Sequence, residues 1–132
     1  MKQKKYTITC TEEQLRMIAD AVEDWHRFLA GQCELSNATS MLDGYHELCE
    51  ALDKHVRPLV VPELYGRGSS YNWSGSACPN KYQRKAIAMS YGIYRQIRHF
   101  FATRGPKNHW DVYQSPTLTC DEQGGLIQIE EA

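Results

Sequence analysis

Two long stretches of the chain carry apolar residues at helical spacing. From residue 12, Leu15, Ile18, Ala19, Val22, Trp25, His26 and Leu29 recur every three or four positions, one face of an amphipathic helix. Thr11 and Gln14 form a T-x-x-Q capping box that starts this helix at about Glu12, and Gly31 is a fitting stop. The second stretch begins at Pro79 or Asn80 and runs to about Thr103, before Gly105-Pro106. Its Ala86, Ile87, Tyr91, Ile93, Tyr94, Ile97, Phe100 and Phe101 cover more than a narrow stripe, so this helix is expected at the centre, buried on much of its circumference. Between the two, Leu42, Tyr45, Leu48, Cys49, Leu52 and Val56 mark a third periodic segment. Pro58 sets its end, because a proline disfavours helix at the preceding Arg57. "PLVVPEL", with Pro58 and Pro62, then reads as extended.

The ends of the chain alternate instead. "YTITC", Tyr6 to Cys10, suits a short β-branched strand, and "HWDVY" alternates moderately. "TLTC" and "LIQIE" flank "DEQGG", the signal of a β-hairpin. The expected class is therefore α+β, a small antiparallel sheet packed with three helices. Such a sheet has open edges, which invite pairing with another copy of the chain.

At 132 residues the chain fits one domain, residues 1–132. Hydrophobic content of 42% with 23% charge excludes wholesale disorder and fibrous repeats. A net charge of −1 supplies no global field for nucleic acid or an anionic membrane, so any anion site has to be local. No apolar run is long enough to cross a membrane, and "MKQKKYTITC" lacks the apolar core of a signal peptide; a soluble intracellular protein is expected. Five cysteines, an odd number without a CxxC pair, point to free thiols.

The candidate chemistry gathers around the loop from Gly66 to about Asn80. Lys81, Arg84 and Lys85 follow it, in the first turn or two of the last helix, where the dipole disfavours cations and favours anions. An anionic ligand at the helix start reconciles them; a solvated charged face is the competing account. Within "SSYNWSGSACPN", Tyr71 and Trp73 have only Ser, Asn and Gly beside them. They either stack on a nucleobase, with Asn72, Asn80 and the serines as hydrogen-bonding partners, or plug the core beneath the loop. Trp73 is the better candidate for stacking.

Arg95, Arg98, His99 and Arg104 complement the carboxyl end of the same helix, although Arg98 lies beside the apolar stripe and needs a carboxylate or phosphate partner there. Arg27 follows Glu23 by four residues, the spacing of a surface ion pair. His46 and Cys49 share a helix face, but no second ligand pair accompanies them, and "HELCE" lacks the second histidine of a metalloprotease helix. No nucleophile elbow, P-loop or dinucleotide fingerprint occurs, so no metal, cofactor or catalytic residue is assigned. A ligand site without a catalytic set is the mark of a binder.

Several pieces in order resemble a phage family, the Thoeris anti-defence proteins of the first type: "DWHRFLAGQ", "YNWSG", "YRQIRHFF" and "VYQSPTL". They cover about two-thirds of the chain; residues 36–65 match poorly. The resemblance implies an α+β protomer that acts in the host bacterial cytoplasm during infection and assembles as a homodimer or a higher homo-oligomer such as a hexamer, with pockets at the dimer interface. It implies a sponge that binds, without cleaving, a cyclic ADP-ribose isomer (gcADPR) and, in some members, the cyclic di- or trinucleotides of CBASS defence. Carried over by position, Arg27 contacts phosphate or ribose, Trp73 stacks on adenine, Arg104 meets the pyrophosphate, and Gln114 with Ser115 sits at the base or ribose. Gln114, where the pattern has an acidic residue, and Pro116 depart from the family.

Two rival classes remain open at this level. A small phosphodiesterase or nucleosidase would use His99 or His109 as general acid or base. A protein-interaction module would use the loop aromatics as anchors.

Overall fold

The computed structural model describes residues 3–66, 68–104 and 118–132. Two long antiparallel helices, α1 (Glu12–Ala30) and α5 (Lys81–Ala102), form its spine. Contacts run in opposite senses along them: the Gln83 side chain donates to the Leu29 carbonyl, His26 meets the Ile87 carbonyl, Arg98 pairs with Asp20, and Arg16 lies over the Phe101 ring. The capping box of α1 forms as expected, with the Gln14 amide donating to Thr11 Oγ1 and the Thr11 amide donating back to Gln14 Oε1. Gly31 ends the helix at φ 114, where any Cβ would be strained and would also come within 3.2 Å of the Ser69 carbonyl.

The tightest apolar cluster, Ala30, Val61, Tyr71, Cys78 and Ile87, joins the end of α1 to the start of α5. Full burial of a side chain such as Ile87 contributes about 1.5–3 kcal/mol. The α1 stripe is wider than α5 covers, and Ile18 and Trp25 stay 40% and 57% exposed.

Asp24 and Glu23 tie the middle of the chain to this spine. The buried Asp24 carboxylate accepts the Asn37 and Ala38 amides, 3.0 Å each, and so caps the single turn α2 (Ser36–Thr39) from another element. Glu23 Oε1 accepts from Asn37 Nδ2 at 2.8 Å and from the Arg98 guanidinium at 3.0 Å, while its Oε2 takes Arg27 at 3.3 Å. One carboxylate thus links α1, α2 and α5.

Residues 45–60 correct the expectation of a helix ended by Pro58 and an extended "PLVVPEL". Here α3 (Tyr45–Ala51) runs through a π turn (Leu52–Val56) into α4 (Arg57–Val60). The Arg57 amide reaches back five residues to the Leu52 carbonyl. That wider turn makes room for the proline ring, and Pro58 falls in the first turn of α4, where its missing N–H is not needed. Arg57, itself buried, donates to the Gly31 carbonyl at 3.0 Å and to the Ser69 carbonyl, pinning the loop against the end of α1.

The expected α+β class with an antiparallel sheet is overturned: the fold is helical, 55% helix, with no strand among the described residues. "YTITC" is extended but exposed, with Tyr6 and Ile8 84% and 79% accessible, so alternation is present without any ladder to join. "LIQIE" likewise makes no ladder, and in place of a hairpin "DEQGG" forms a 3₁₀ turn (Asp121–Gln123) followed by two left-handed glycines. This turn packs on α5 at Gly92, where a Cβ would lie 2.6 Å from Gln123 Nε2. Helix packing, not strand pairing, takes up the tail. "HWDVY" lies outside the described residues.

The Asp24 cap yields a stability prediction. Asp24→Ala strands two amides and is expected to lower unfolding free energy by about 2–3 kcal/mol, and Asp24→Asn, which keeps one acceptor oxygen, by roughly half as much. Urea denaturation with an unchanged m-value checks both; a loss below about 0.5 kcal/mol for Asp24→Ala would rule out the cap as a structural tie.

Candidate functional site

A polar opening lies between the end of α1, the middle of α5 and the loop pinned by Arg57. His26, Arg27 and Ala30 come from α1, Gln32, Ser70 and Tyr71 from the loops that follow, and Tyr94 from α5, around a cleft of about 160 Å³. Arg57 fixes this geometry indirectly, through its bonds to Gly31 and Ser69.

His26 is buried, and its Nδ1 sits 2.8 Å from the Ile87 carbonyl. A carbonyl only accepts, so Nδ1 carries the hydrogen and Nε2 is left as a bare acceptor. The Ser90 hydroxyl, 3.3 Å from the same Nδ1, donates to the Ala86 carbonyl. Burial lowers the imidazole's affinity for a proton, a cause larger than the support from the Ile87 carbonyl, and the ring is neutral at neutral pH. Burial likewise pushes the Tyr94 phenol up to about 12, which keeps it a neutral donor.

Arg27 is oriented rather than consumed. Its Nε and one terminal nitrogen donate to Glu23 Oε2, and the other donates to Gln32 Oε1 at 2.6 Å. Three of the five N–H groups of a guanidinium are then engaged, leaving two on a side chain 45% exposed. The buried Tyr71 hydroxyl has no hydrogen-bond partner among the described residues, and none reaches the Tyr94 hydroxyl or His26 Nε2. Of these only the Tyr71 hydroxyl is a buried atom, where most polar groups are paired; the others reach the solvent of the cleft.

The residues singled out from sequence divide. Arg27 and Tyr71 come together at the cleft. Tyr71 is also the ring that plugs the core, 6% exposed, while Trp73 is half-buried against Tyr91 at 5.4 Å between centroids. Trp73 begins an aromatic run that continues through Tyr91 to His26 and Tyr94, at 5.4 and 5.8 Å. Asn72 organises its own loop, its Oδ1 accepting from the Ser76 amide and the Ser74 hydroxyl. Asn80 Oδ1 caps α5 by accepting the Tyr82 and Gln83 amides. Arg84 is paired with Glu122 at 3.0 Å and with the Cys78 carbonyl, and Lys81 lies over the Tyr82 ring, so the start of α5 satisfies much of itself within the chain. Arg98 has the carboxylate partners its position required, Asp20 and Glu23.

Arg104 stands elsewhere. It lies over the Phe100 ring at 3.9 Å and lines a second cleft of about 240 Å³ with Gln96, His99, Thr103 and Ile129. Arg104 lies two residues beyond the end of α5, and it and Arg27 line different clefts of the chain. Gln114, Ser115, Pro116 and His109 lie outside the described residues.

No family model, curated protein or solved structure matches the chain. The site therefore has to be argued from its own chemistry. Ser70 is one of the loop serines expected as hydrogen-bonding partners, whereas sequence reading does not single out His26, Gln32 or Tyr94 as site residues. His26 and Tyr94 were counted as parts of apolar stripes; a ring with polar atoms inside an apolar stripe was the available signal. Among the described residues, no helix is long and apolar enough to cross a membrane.

His26 also makes stability depend on pH. Its proton affinity is lower folded than unfolded, so its contribution is complete above the unfolded value of about 6.5 and is lost as pH falls below it. Unfolding free energy is expected to decline between about pH 6.5 and pH 5, and His26→Asn, which keeps a donor for Ile87 but cannot charge, should flatten that decline. Equal slopes for the two proteins would show that the ring is not held neutral.

Proposed function

We propose that the protein binds and sequesters a cyclic nucleotide immune signal without cleaving it, acting as an anti-defence sponge in an infected bacterial host. The observation that carries this reading is the cleft, where Arg27 offers two uncommitted N–H groups beside the Tyr94 hydroxyl and His26 Nε2, for which no partner is found among the described residues. Charge-assisted donors of this type suit phosphate. The aromatic run from Trp73 provides faces for a base at the rim. The resemblance of "DWHRFLAGQ" and "YNWSG" to the Thoeris anti-defence proteins of the first type points to a cyclic ADP-ribose isomer, with cyclic di- or trinucleotides as further ligands.

The same reading makes the working form a homodimer or larger homo-oligomer. Ile18 and Trp25, seven residues apart on α1, present apolar surface a second copy could cover. It also leaves no residue with a catalytic duty.

Equilibrium binding to cyclic ADP-ribose isomers and cyclic di- and trinucleotides, followed by heat release and chromatography, tests the proposal. Binding with recovery of the intact compound is expected. Arg27→Ala should weaken binding roughly 10- to 100-fold, the loss of one or two charged hydrogen bonds. Recovery of a linear product would make the protein an enzyme, and absence of binding to every compound would remove the sponge reading.

A further inference from the structure

We propose that His26 determines what the α1–α5 cleft accepts: its bare Nε2 requires a hydrogen-bond donor from the ligand, so the cleft is a subsite for a hydroxylated phosphate, the pentose phosphate portion of a nucleotide. The inference rests on the nucleotide-binding reading only for the larger ligand to which this portion belongs.

The geometry supplies each half of the match. Nδ1–H is committed to the Ile87 carbonyl at 2.8 Å, and a carbonyl cannot donate back, so the ring cannot switch tautomer without stranding that carbonyl. Nε2 is then fixed as an acceptor. The Tyr94 hydroxyl and the two spare Arg27 N–H groups are donors without acceptors in the protein, which suits an anion with several oxygens. Neither the Tyr94 hydroxyl nor His26 Nε2 is among the fully buried unpaired atoms, so both stay accessible to a ligand in the cleft, whereas the Tyr71 hydroxyl is fully buried. A carboxylate, or a fully ionised phosphate ester without hydroxyls, meets the donors but gives Nε2 nothing. A neutral sugar meets Nε2 but leaves Arg27 and the Tyr94 phenol without charge. A phosphate ester of a polyol meets both.

Size agrees with a portion of a nucleotide. About 160 Å³ falls below the range of roughly 300–1,000 Å³ usual for pockets that enclose a whole drug-sized ligand. The base then lies outside the cleft, on the side where Tyr91 and Trp73 continue the aromatic run.

The experiment is an NMR titration of the full chain with ribose 5-phosphate, with tetrahydrofurfuryl phosphate, which keeps ring and phosphate but lacks the ring hydroxyls, and with inorganic phosphate. Wild-type protein should bind ribose 5-phosphate roughly five- to tenfold more tightly than tetrahydrofurfuryl phosphate, the value of one matched acceptor. Shifts should centre on His26, Tyr71 and Tyr94. In His26→Asn, whose amide can still donate to Ile87, the preference for ribose 5-phosphate over tetrahydrofurfuryl phosphate should fall to about one. Tyr94→Phe, which removes only a hydroxyl, should weaken both esters by a similar factor and keep the preference. The proposal is overturned if the wild type shows no preference, if none of the probes shifts the cleft residues, or if His26→Asn keeps the preference. Failure here with cyclic nucleotides still bound would move their site elsewhere, whereas the ribose preference without cyclic nucleotide binding would remove the sponge and leave the subsite.

Discussion

The Glu23 carboxylate holds the arrangement together. Half-buried on α1, it receives Arg27 from its own helix, Asn37 from the start of α2 and Arg98 from α5. A charge in that position is stable only while its partners are in place, and removing a partner from such a network costs more than forming the network contributes. The register of α1 on α5 follows, and with it the placing of His26 beneath the Ile87 carbonyl. The direction of Arg27 follows as well, because Glu23 and Gln32 take up one side of its guanidinium and leave the rest for the cleft.

A second tie completes the site from the opposite side. Arg57 reaches the Gly31 and Ser69 carbonyls from α4, and it can do so because the π turn at Leu52–Val56 carries the chain past Pro58 without a break. Ser70 and Tyr71 are thereby held against the end of α1, and Tyr71 both closes the core and lines the cleft. A site whose side chains are already in place loses little entropy on binding, which favours affinity for a ligand.

The two long helices were legible because each combines a cap, a period and a stop: Thr11 with Gln14 and Gly31 for α1, and Asn80 with a broad apolar face for α5. The sheet was not, since alternation in "YTITC" and "LIQIE" shows only that a segment can be a strand; a ladder needs a partner, and none is present among the described residues. Pro58 misled for a local reason, the π turn, which leaves no simple periodic mark in the sequence. At the site, the Arg27 ion pair to Glu23 is present as its spacing indicates, and of the loop aromatics Tyr71 is the one that plugs the core, while Trp73 is half-buried against Tyr91. His26 and Tyr94 escaped because their polar atoms acquire meaning only from neighbours 61 residues away, such as the Ile87 carbonyl.

The central claim is that the Ile87 carbonyl fixes His26 Nδ1 as a donor and leaves Nε2 as an acceptor in the cleft proposed to hold an anion. The ¹⁵N spectrum of the His26 imidazole at neutral pH reads this directly. The account predicts a protonated Nδ1 and a bare Nε2, with the Nε2 resonance moving toward its hydrogen-bonded value when a sugar phosphate is added. A protonated Nε2, a doubly protonated ring, or an Nε2 resonance indifferent to the sugar phosphate would contradict it.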